Sequence, residues 1–550
     1  MVIEIEVNGQ VLKAKKGDIL LDVLNQNGIR VPTLCSMEGF PATGACRICV
    51  VEVEGKQDLV PACSFPIEEW MKVQTHSARV ILARRTIVEL LISNHPDDCL
   101  YCFQNKHCEL QRLSTELRVT ERKARPSITK FKIDRTSPAI VHDPTKCVLC
   151  GRCIRICDDL TVSALEFISR GNELRVGTVG NRGLSHSNCI SCGQCIQACP
   201  TGSLQEKSQM EELINQLHEK TVPVVALIDP ALVVSIGEEL GFRSGKDVSG
   251  HLYSALRKIG FAEVHSGSEM ADVSIFITAK LWQEAVKDSN HSHSIVSFCP
   301  SWNNYIEKLR PDLLDNILPV YTPPQIFGRL FRDKKPDAFI VYFSPCIGAK
   351  MEEKSIENQL DGKPFVNAVL STRELVQLIQ LFGIDFERMP AEVPDTLLNA
   401  VYMSGLLTAV SGGYLEGLSR ALWVLDADNY PLKKKIPKLR GVKVCKSEVI
   451  DNSESKQRWT ACSSLSTALD LIDTADRSKY HELLEITTCQ GGCLNGGGQP
   501  GLRNDKTTRL RIKEIYDSDE DLSGQLSAFA DRVIQATSGL QKTFQSKTED

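Results

Sequence analysis

The sequence has no apolar run near the ~18 residues that a membrane-spanning helix needs. Its longest candidate, VPVVALIDPALVVSIG from Val222, is broken by Asp229 and Pro230 and reads as a buried strand followed by a turn. Positive charge is not in excess. The 64 Lys and Arg against 69 Asp and Glu give a net charge of −5, which argues against nucleic acid or an acidic membrane as partner. The opening MVIEIEVNGQVLKAKKGD lacks the apolar core of a signal peptide and the Arg/Ser bias of a transit peptide, so a cytoplasmic location is expected. No GxGxxG follows a strand, so a dinucleotide would have to bind a partner chain. Cysteine, in contrast, is abundant, at 21 residues. In the cytosol thiols stay reduced, so clustered cysteines point to metal.

At 550 residues the chain is long enough for roughly three to five domains, and the fold class expected is multidomain α/β with α+β. Residues 1–78 read as a β-rich unit, with two strands joined at Asn8-Gly9 and one helix in ILLDVLNQNG. Residues 79–118 have a helical pattern, and a polar connector follows around Glu121 to Arg135. Residues 136–208 hold two cysteine-rich repeats. In residues 209–505, apolar runs (VPVVALI, SIFIT, SIVSF, AFIVYF) alternate as strands with amphipathic helical segments, as in buried, mostly parallel sheets. Residues 506–550 are polar and read as an appendage with one helical stretch, LSGQLSAFADRVIQA.

Four cysteine groups precede residue 209. Cys35, Cys46, Cys49 and Cys63 suit a [2Fe–2S] cluster, with zinc as the rival; their spacing resembles the [2Fe–2S] domains at the front of large redox enzymes. His95, Cys99, Cys102 and Cys108 alone fit zinc and [4Fe–4S] equally well. Between two other cluster motifs they resemble the His/Cys3 [4Fe–4S] site of [FeFe]-hydrogenases and of the large iron–sulfur subunit of complex I. Cys147, Cys150, Cys153 and Cys157 form one CxxCxxCxxxC run, and Cys189, Cys192, Cys195 and Cys199 repeat it. In two-cluster ferredoxins the fourth cysteine of each run ligates the other cluster. One [4Fe–4S] is therefore expected on Cys147, Cys150, Cys153 and Cys199, and another on Cys189, Cys192, Cys195 and Cys157. That makes one [2Fe–2S] and three accessory [4Fe–4S] clusters.

Three further segments carry cysteine: SFCPSW with Cys299, SPCIGAKMEE with Cys346, and EITTCQGGCLNGGGQPG with Cys489 and Cys493. In this order, behind this array, they resemble the signature segments of [FeFe]-hydrogenases, and the similarity runs from residue 1 to about 505. PPQIFG, TREL and SGGYLEGLSRAL support it. The resemblance implies a β-grasp [2Fe–2S] ferredoxin-like domain, a His/Cys3 helical segment, a two-[4Fe–4S] ferredoxin domain and a two-lobed α/β catalytic domain. It also implies an H-cluster: a [4Fe–4S] subcluster on the four cysteines, with Cys493 bridging to a di-iron unit that carries CO and CN⁻. Pro230, Ala231, Pro345 and Gln325 would line this cofactor. Cys445 and Cys462 match no motif and are expected to be ordinary buried thiols.

Several positions depart from the family pattern. Phe298 stands where active members have a proton-passing cysteine, and Ala349 where a lysine hydrogen-bonds cyanide; Lys350 and Glu352 follow it. Ser344 and Thr487 replace methionines, and Ala231 replaces a serine. Glu284 keeps one acid of the proton path, whereas Lys287 replaces another. Groups behind metal ligands commonly matter 10–100-fold, and a proton relay 10²–10⁴-fold. The expected activity is therefore 2H⁺ + 2e⁻ ⇌ H₂, slow or specialised, with drift and a water relay as the competing explanation. The alternatives are an electron-relay subunit of a larger complex and an H₂ sensor. Expected partners are a soluble ferredoxin or a flavin-containing NAD(P)H-oxidising subunit, and the H-cluster maturation proteins.

Overall fold

The computed structural model describes residues 2–121, 129–287, 293–296, 298–355, 358–360, 362–398, 404–426, 439, 441, 444–451, 456–474, 481–501 and 504–518. Strands Val2–Val7 and Gln10–Lys15 pair antiparallel. Asn8 and Gly9 both take positive φ, 51° and 83°, the geometry that matches the twist of a two-residue hairpin. Lys72–Gln74 joins Val2–Val7 in parallel and Val50–Val53 antiparallel, completing a five-stranded sheet covered by helix Leu20–Gln26. Helix Ala78–Ser93 is capped by the Ser77 hydroxyl and docks through the buried Arg84, whose guanidinium donates to the Val50 carbonyl at 2.8 Å.

In the two-repeat region, Ile140–His142 pairs antiparallel with Leu204–Glu206, so the first and last strands meet. Helices Arg152–Asp159 and Gln194–Ala198 each start on a glycine in the left-handed region, Gly151 at φ 69° and Gly193 at φ 75°. The long insert between the runs folds as a hairpin, Glu166–Ile168 with Arg175–Gly177.

The remainder is built on two four-stranded sheets. The first is all parallel, in the order Glu263–Ser266, Val224–Ile228, Phe339–Phe343, Ala368–Leu370. Its two central strands are buried at every position, as expected of strands covered on both faces. The second runs His293–Ile295, His481–Ile486, Lys456–Cys462, Cys445–Asp451, and only the last strand is antiparallel to its neighbour. Alternate residues divide between cores: Val225 and Leu227 share one with Trp459, Ala461 and Leu483 of the second sheet, so this core joins the two sheets.

SIFIT is not a strand. It lies inside the 21-residue helix Gly267–Lys287, whose residues Gly267 to Ala279 are all buried. A helix buried all round loses its periodicity and reads like a buried strand. Cys445 and Cys462 also differ from expectation: they face each other across the antiparallel pair, Cα atoms 4.2 Å apart, and form a disulfide. Cys445 is only half-buried. Helix Asp505–Asp517 packs into the domain, with Ile515 fully buried and Arg511 paired bidentately with Glu238 at 2.9 and 2.8 Å, although polar composition assigned it to an appendage. LSGQLSAFADRVIQA lies outside the described residues. No helix among the described residues is long and apolar enough to cross a membrane.

Candidate metal centres

Cys35, Cys49 and Cys63 are buried and Cys46 half-buried on the loops around the N-terminal sheet. Hydrogen bonds between them dominate their acidity: Cys46 pulls the Cys35 thiol down, Cys35 pushes Cys46 and Cys63 up, and Cys63 lowers Cys49 to about 7. The four sulfurs therefore form one knot. From the first ferredoxin helix, the Arg155 guanidinium reaches the carbonyls of Pro41 and Cys35 on this loop.

His95 follows helix Ala78–Ser93 and is buried. Its Nδ1 faces the Pro96 carbonyl at 3.1 Å. A carbonyl only accepts, so Nδ1 carries the proton and Nε2 the lone pair. Burial lowers its pKa and keeps the ring neutral. Cys108 is raised by burial and then by the nearby Cys102 and Cys99, so the three thiols share one neighbourhood; Cys99 is exposed. Arg152 pairs bidentately with Glu109 at 2.6 and 3.0 Å, tying this segment to the ferredoxin region.

The two repeats bring their cysteines together crosswise. Cys150 is pushed up to about 12 by burial, then by Cys199, and Cys153 by burial, then by Cys147, Cys150 and Cys199. Cys157, up to about 11 through burial, neighbours Cys189, and Cys195 feels Cys192, Cys189 and Cys157 in turn. The amides of Leu149 and Ser191 approach Cys147 and Cys189 Sγ, each at 3.4 Å.

Cys299, Cys346, Cys489 and Cys493 all lie just beyond the C-terminal ends of parallel strands: His293–Ile295, Phe339–Phe343 and His481–Ile486. Asp229, Pro230 and Ala231 lie at the end of Val224–Ile228. Strand ends of α/β sheets are where ligand crevices form, and here both sheets contribute. Burial pushes the Cys493 thiol well up, followed by Asp229, Cys346, Cys489 and Cys299 as nearby negative charges. Four thiols and one carboxyl thus face one space. Gly492, at φ 100°, passes so close to Ala409 that a Cβ would lie 2.6 Å from its oxygen.

The surroundings are specific. Phe298 is buried and stacks on Tyr414, centroids 4.8 Å apart. The Tyr414 hydroxyl meets Ser274 at 2.9 Å and Thr278 at 2.8 Å. Ala349 is buried on helix Gly348–Glu353. Lys350 is committed elsewhere, to Glu374 at 2.9 Å and the Val369 carbonyl, and Glu352 accepts from the Thr322 hydroxyl at 2.8 Å. Gln325 caps its own helix through Oε1, while its buried Nε2 has no hydrogen-bond partner among the described residues. Glu284 is exposed near the end of its helix, so it lines no buried pocket.

Sequence reasoning missed three groups. Asp229, read only as a strand breaker, accepts from Tyr342 and Ser344 hydroxyls, both at 2.6 Å, and burial raises its pKa. Glu485 is fully buried and accepts the Gly412 and Leu415 amides at 2.6 and 3.0 Å; burial pushes it up to about 7. An acid inside an apolar strand, HELLEI, was its signal. Gln194 reaches Cys489 and left no signal beyond its place between two cysteines.

The donors suit iron–sulfur groups: soft thiolates at every centre, of which burial makes Cys150, Cys153, Cys195, Cys346 and Cys493 costly to ionise, and an orphaned amide donor in Gln325.

The comparisons with known proteins agree. Residues 222–497 match the C-terminal domain of the iron-only hydrogenase large subunit. Residues 1–78 match a 2Fe-2S cluster binding domain, 84–123 the NADH-ubiquinone oxidoreductase-G iron–sulfur region, and 146–203 a 4Fe-4S dicluster domain. The NADP-reducing hydrogenase subunit HndD of Solidesulfovibrio fructosivorans is 31% identical over 94% of this chain and 92% of its own. Iron hydrogenase 1 of Clostridium pasteurianum is 30% identical over 95% and 94%. The solved [FeFe]-hydrogenase HydA1 of Chlamydomonas reinhardtii shares the fold, with a TM-score of 0.52 at 20% identity over 62% of this chain and 100% of that one. With its signature cysteines gathered at the strand ends and its accessory cluster domains in front, the chain belongs to the iron-only, or [FeFe], hydrogenase family.

Proposed function

We propose that Cys299, Cys346, Cys489 and Cys493 hold a [4Fe–4S] subcluster, and that Cys493 bridges it to a di-iron unit. Bound there, this H-cluster supplies the redox centre at which 2H⁺ + 2e⁻ and H₂ interconvert. The observation that carries this reading is the convergence of the four thiols in one buried space between the two sheets. Pro230, Ala231 and Pro345 supply its walls, and the free Nε2–H of Gln325 can donate to a cofactor ligand. Cys35/Cys46/Cys49/Cys63, His95/Cys99/Cys102/Cys108 and the two crossed ferredoxin sets feed it as one [2Fe–2S] and three [4Fe–4S] clusters.

Phe298 and Tyr414 close one wall with stacked rings. A phenyl ring carries no proton, so transfer from that side is blocked and turnover is slow. Electrons come from a soluble ferredoxin or a flavin-containing NAD(P)H-oxidising protein in the cytoplasm. Two relatives are subunits of NADP(H)-linked enzymes: HndD, and the alpha subunit of the NADPH-Fe(3+) oxidoreductase of Geobacter sulfurreducens, 33% identical over 38% of this chain and 24% of its own. The same blocked wall favours a second reading, in which the chain serves as an electron relay within such a complex.

Infrared spectroscopy on protein matured anaerobically with H-cluster maturation proteins tests the first reading. Metal-bound CO and CN⁻ bands are expected. Their absence, with the accessory clusters loaded, would overturn it in favour of the relay.

A further inference from the structure

The loop carrying Cys192 and Cys195 meets the loop carrying Cys489 and Cys493 backbone against backbone. A Cβ on Gly497 would lie 2.4 Å from the Gly193 carbonyl carbon and 2.6 Å from the Cys192 oxygen. A Cβ on Gly193 would strike Ile347 at 2.4 Å. Only glycine at both positions permits this approach.

Across the seam reaches one side chain. Gln194 is 6% exposed and opens helix Gln194–Ala198. Its Nε2 lies 2.9 Å from the Asn495 carbonyl and 3.3 Å from Cys489 Sγ. A carboxamide nitrogen has two hydrogens, and here both neighbours are acceptors, which fixes the amide orientation on chemical grounds. Asn495 is itself held, its side-chain amide donating to the Gln490 carbonyl at 2.8 Å and its side-chain oxygen accepting from Thr508 at 3.1 Å.

We propose that Gln194 is a positioning residue that raises the reduction potential of the cluster on Cys299, Cys346, Cys489 and Cys493, by donating an N–H to the Cys489 thiolate where electrons cross between the two domains. The inference rests on the reading that these four cysteines hold a [4Fe–4S] cluster. In the transfer, the cluster on Cys157, Cys189, Cys192 and Cys195 loses one electron and the Cys489 cluster gains it; no bond or proton moves. The added electron enlarges the negative charge on the sulfurs, so a donor stabilises the reduced form more than the oxidised one. In a buried site this preference is strengthened.

The test uses the full chain, loaded anaerobically with iron and sulfide only, so that no di-iron unit forms. EPR-monitored redox titrations compare the unaltered protein with Gln194→Met, Gln194→Leu and Cys489→Ala. The signal that Cys489→Ala removes identifies the cluster in question. In both Gln194 variants that signal alone shifts to lower potential. Its reduced-to-oxidised ratio at fixed potential falls about tenfold, which is ~59 mV for one electron. An exchangeable-proton coupling, read by ENDOR in D₂O against H₂O, is lost with it. An unshifted signal that keeps this coupling would overturn the inference, as would equal shifts of every cluster. If Cys489→Ala removes no signal, no cluster sits on these cysteines and the underlying reading fails instead.

Discussion

The ferredoxin loops and the catalytic pocket hold iron–sulfur ligands by opposite means. Each ferredoxin loop is nearly self-sufficient. Positive φ falls at Leu149 and Gly151 in one and at Ser191 and Gly193 in the other, and a backbone amide faces the first cysteine in both. The pocket instead collects its cysteines from the ends of three strands in two sheets, and its walls from residues such as Asp229, Tyr414 and Gln194. Short spacing can specify an electron carrier. What the terminal site does with the electron is decided by residues far apart in sequence.

Substitutions on either side of this contrast should behave differently. Cys493→Ser should abolish H₂ activity and the CO and CN⁻ bands while leaving the EPR signals of the accessory clusters in place; loss of those signals as well would mean that the two regions are not independent. Phe298→Cys restores the thiol expected from the family pattern and should raise H₂ turnover by about 10²-fold, the low end of what a positioned proton carrier contributes. An unchanged rate would place the limiting step outside the Phe298–Tyr414 wall.

Glu485 offers a test by pH. Its folded pKa of about 7 lies above the ordinary 4.5, so the folded protein binds more protons than the unfolded chain between these values. Stability contributed by this group is full below about 4.5 and declines as pH rises through about 7, by ~3 kcal/mol in all. Glu416 is the neighbouring acid that also raises it. Glu485→Gln should remove this decline, seen as denaturation midpoints that no longer fall between pH 5 and pH 8. The smallest effect belongs to the N-terminal region. Ser77→Ala removes the cap of helix Ala78–Ser93 and should cost ~1 kcal/mol, measured by thermal unfolding, with no change in the infrared bands.

The sequence was most legible where structure is local. The Asn8-Gly9 hairpin and the strand VVALI followed by a turn at Asp229 were readable because each depends on a few neighbouring residues. SIFIT was not, because an apolar run buried on all sides has no periodicity to read. Cys445 and Cys462 are 17 residues apart, and only strand register brings their sulfurs together. Glu284, placed by analogy with a proton path, is exposed near the end of its helix. Lys350 and Glu352 follow the second-motif cysteine, but each is held by a residue from a distant segment, Glu374 and Thr322.

The crossing of Cys157 and Cys199 between the two repeats has a consequence for durability. In the proposed ligation each [4Fe–4S] centre would take three thiols from one repeat and the fourth from the other. Loss of one cluster to an oxidant would then free a thiol-bearing segment that also holds its neighbour, so the two centres would be expected to fail together. A chain with this wiring passes abruptly from conducting to insulating instead of fading link by link.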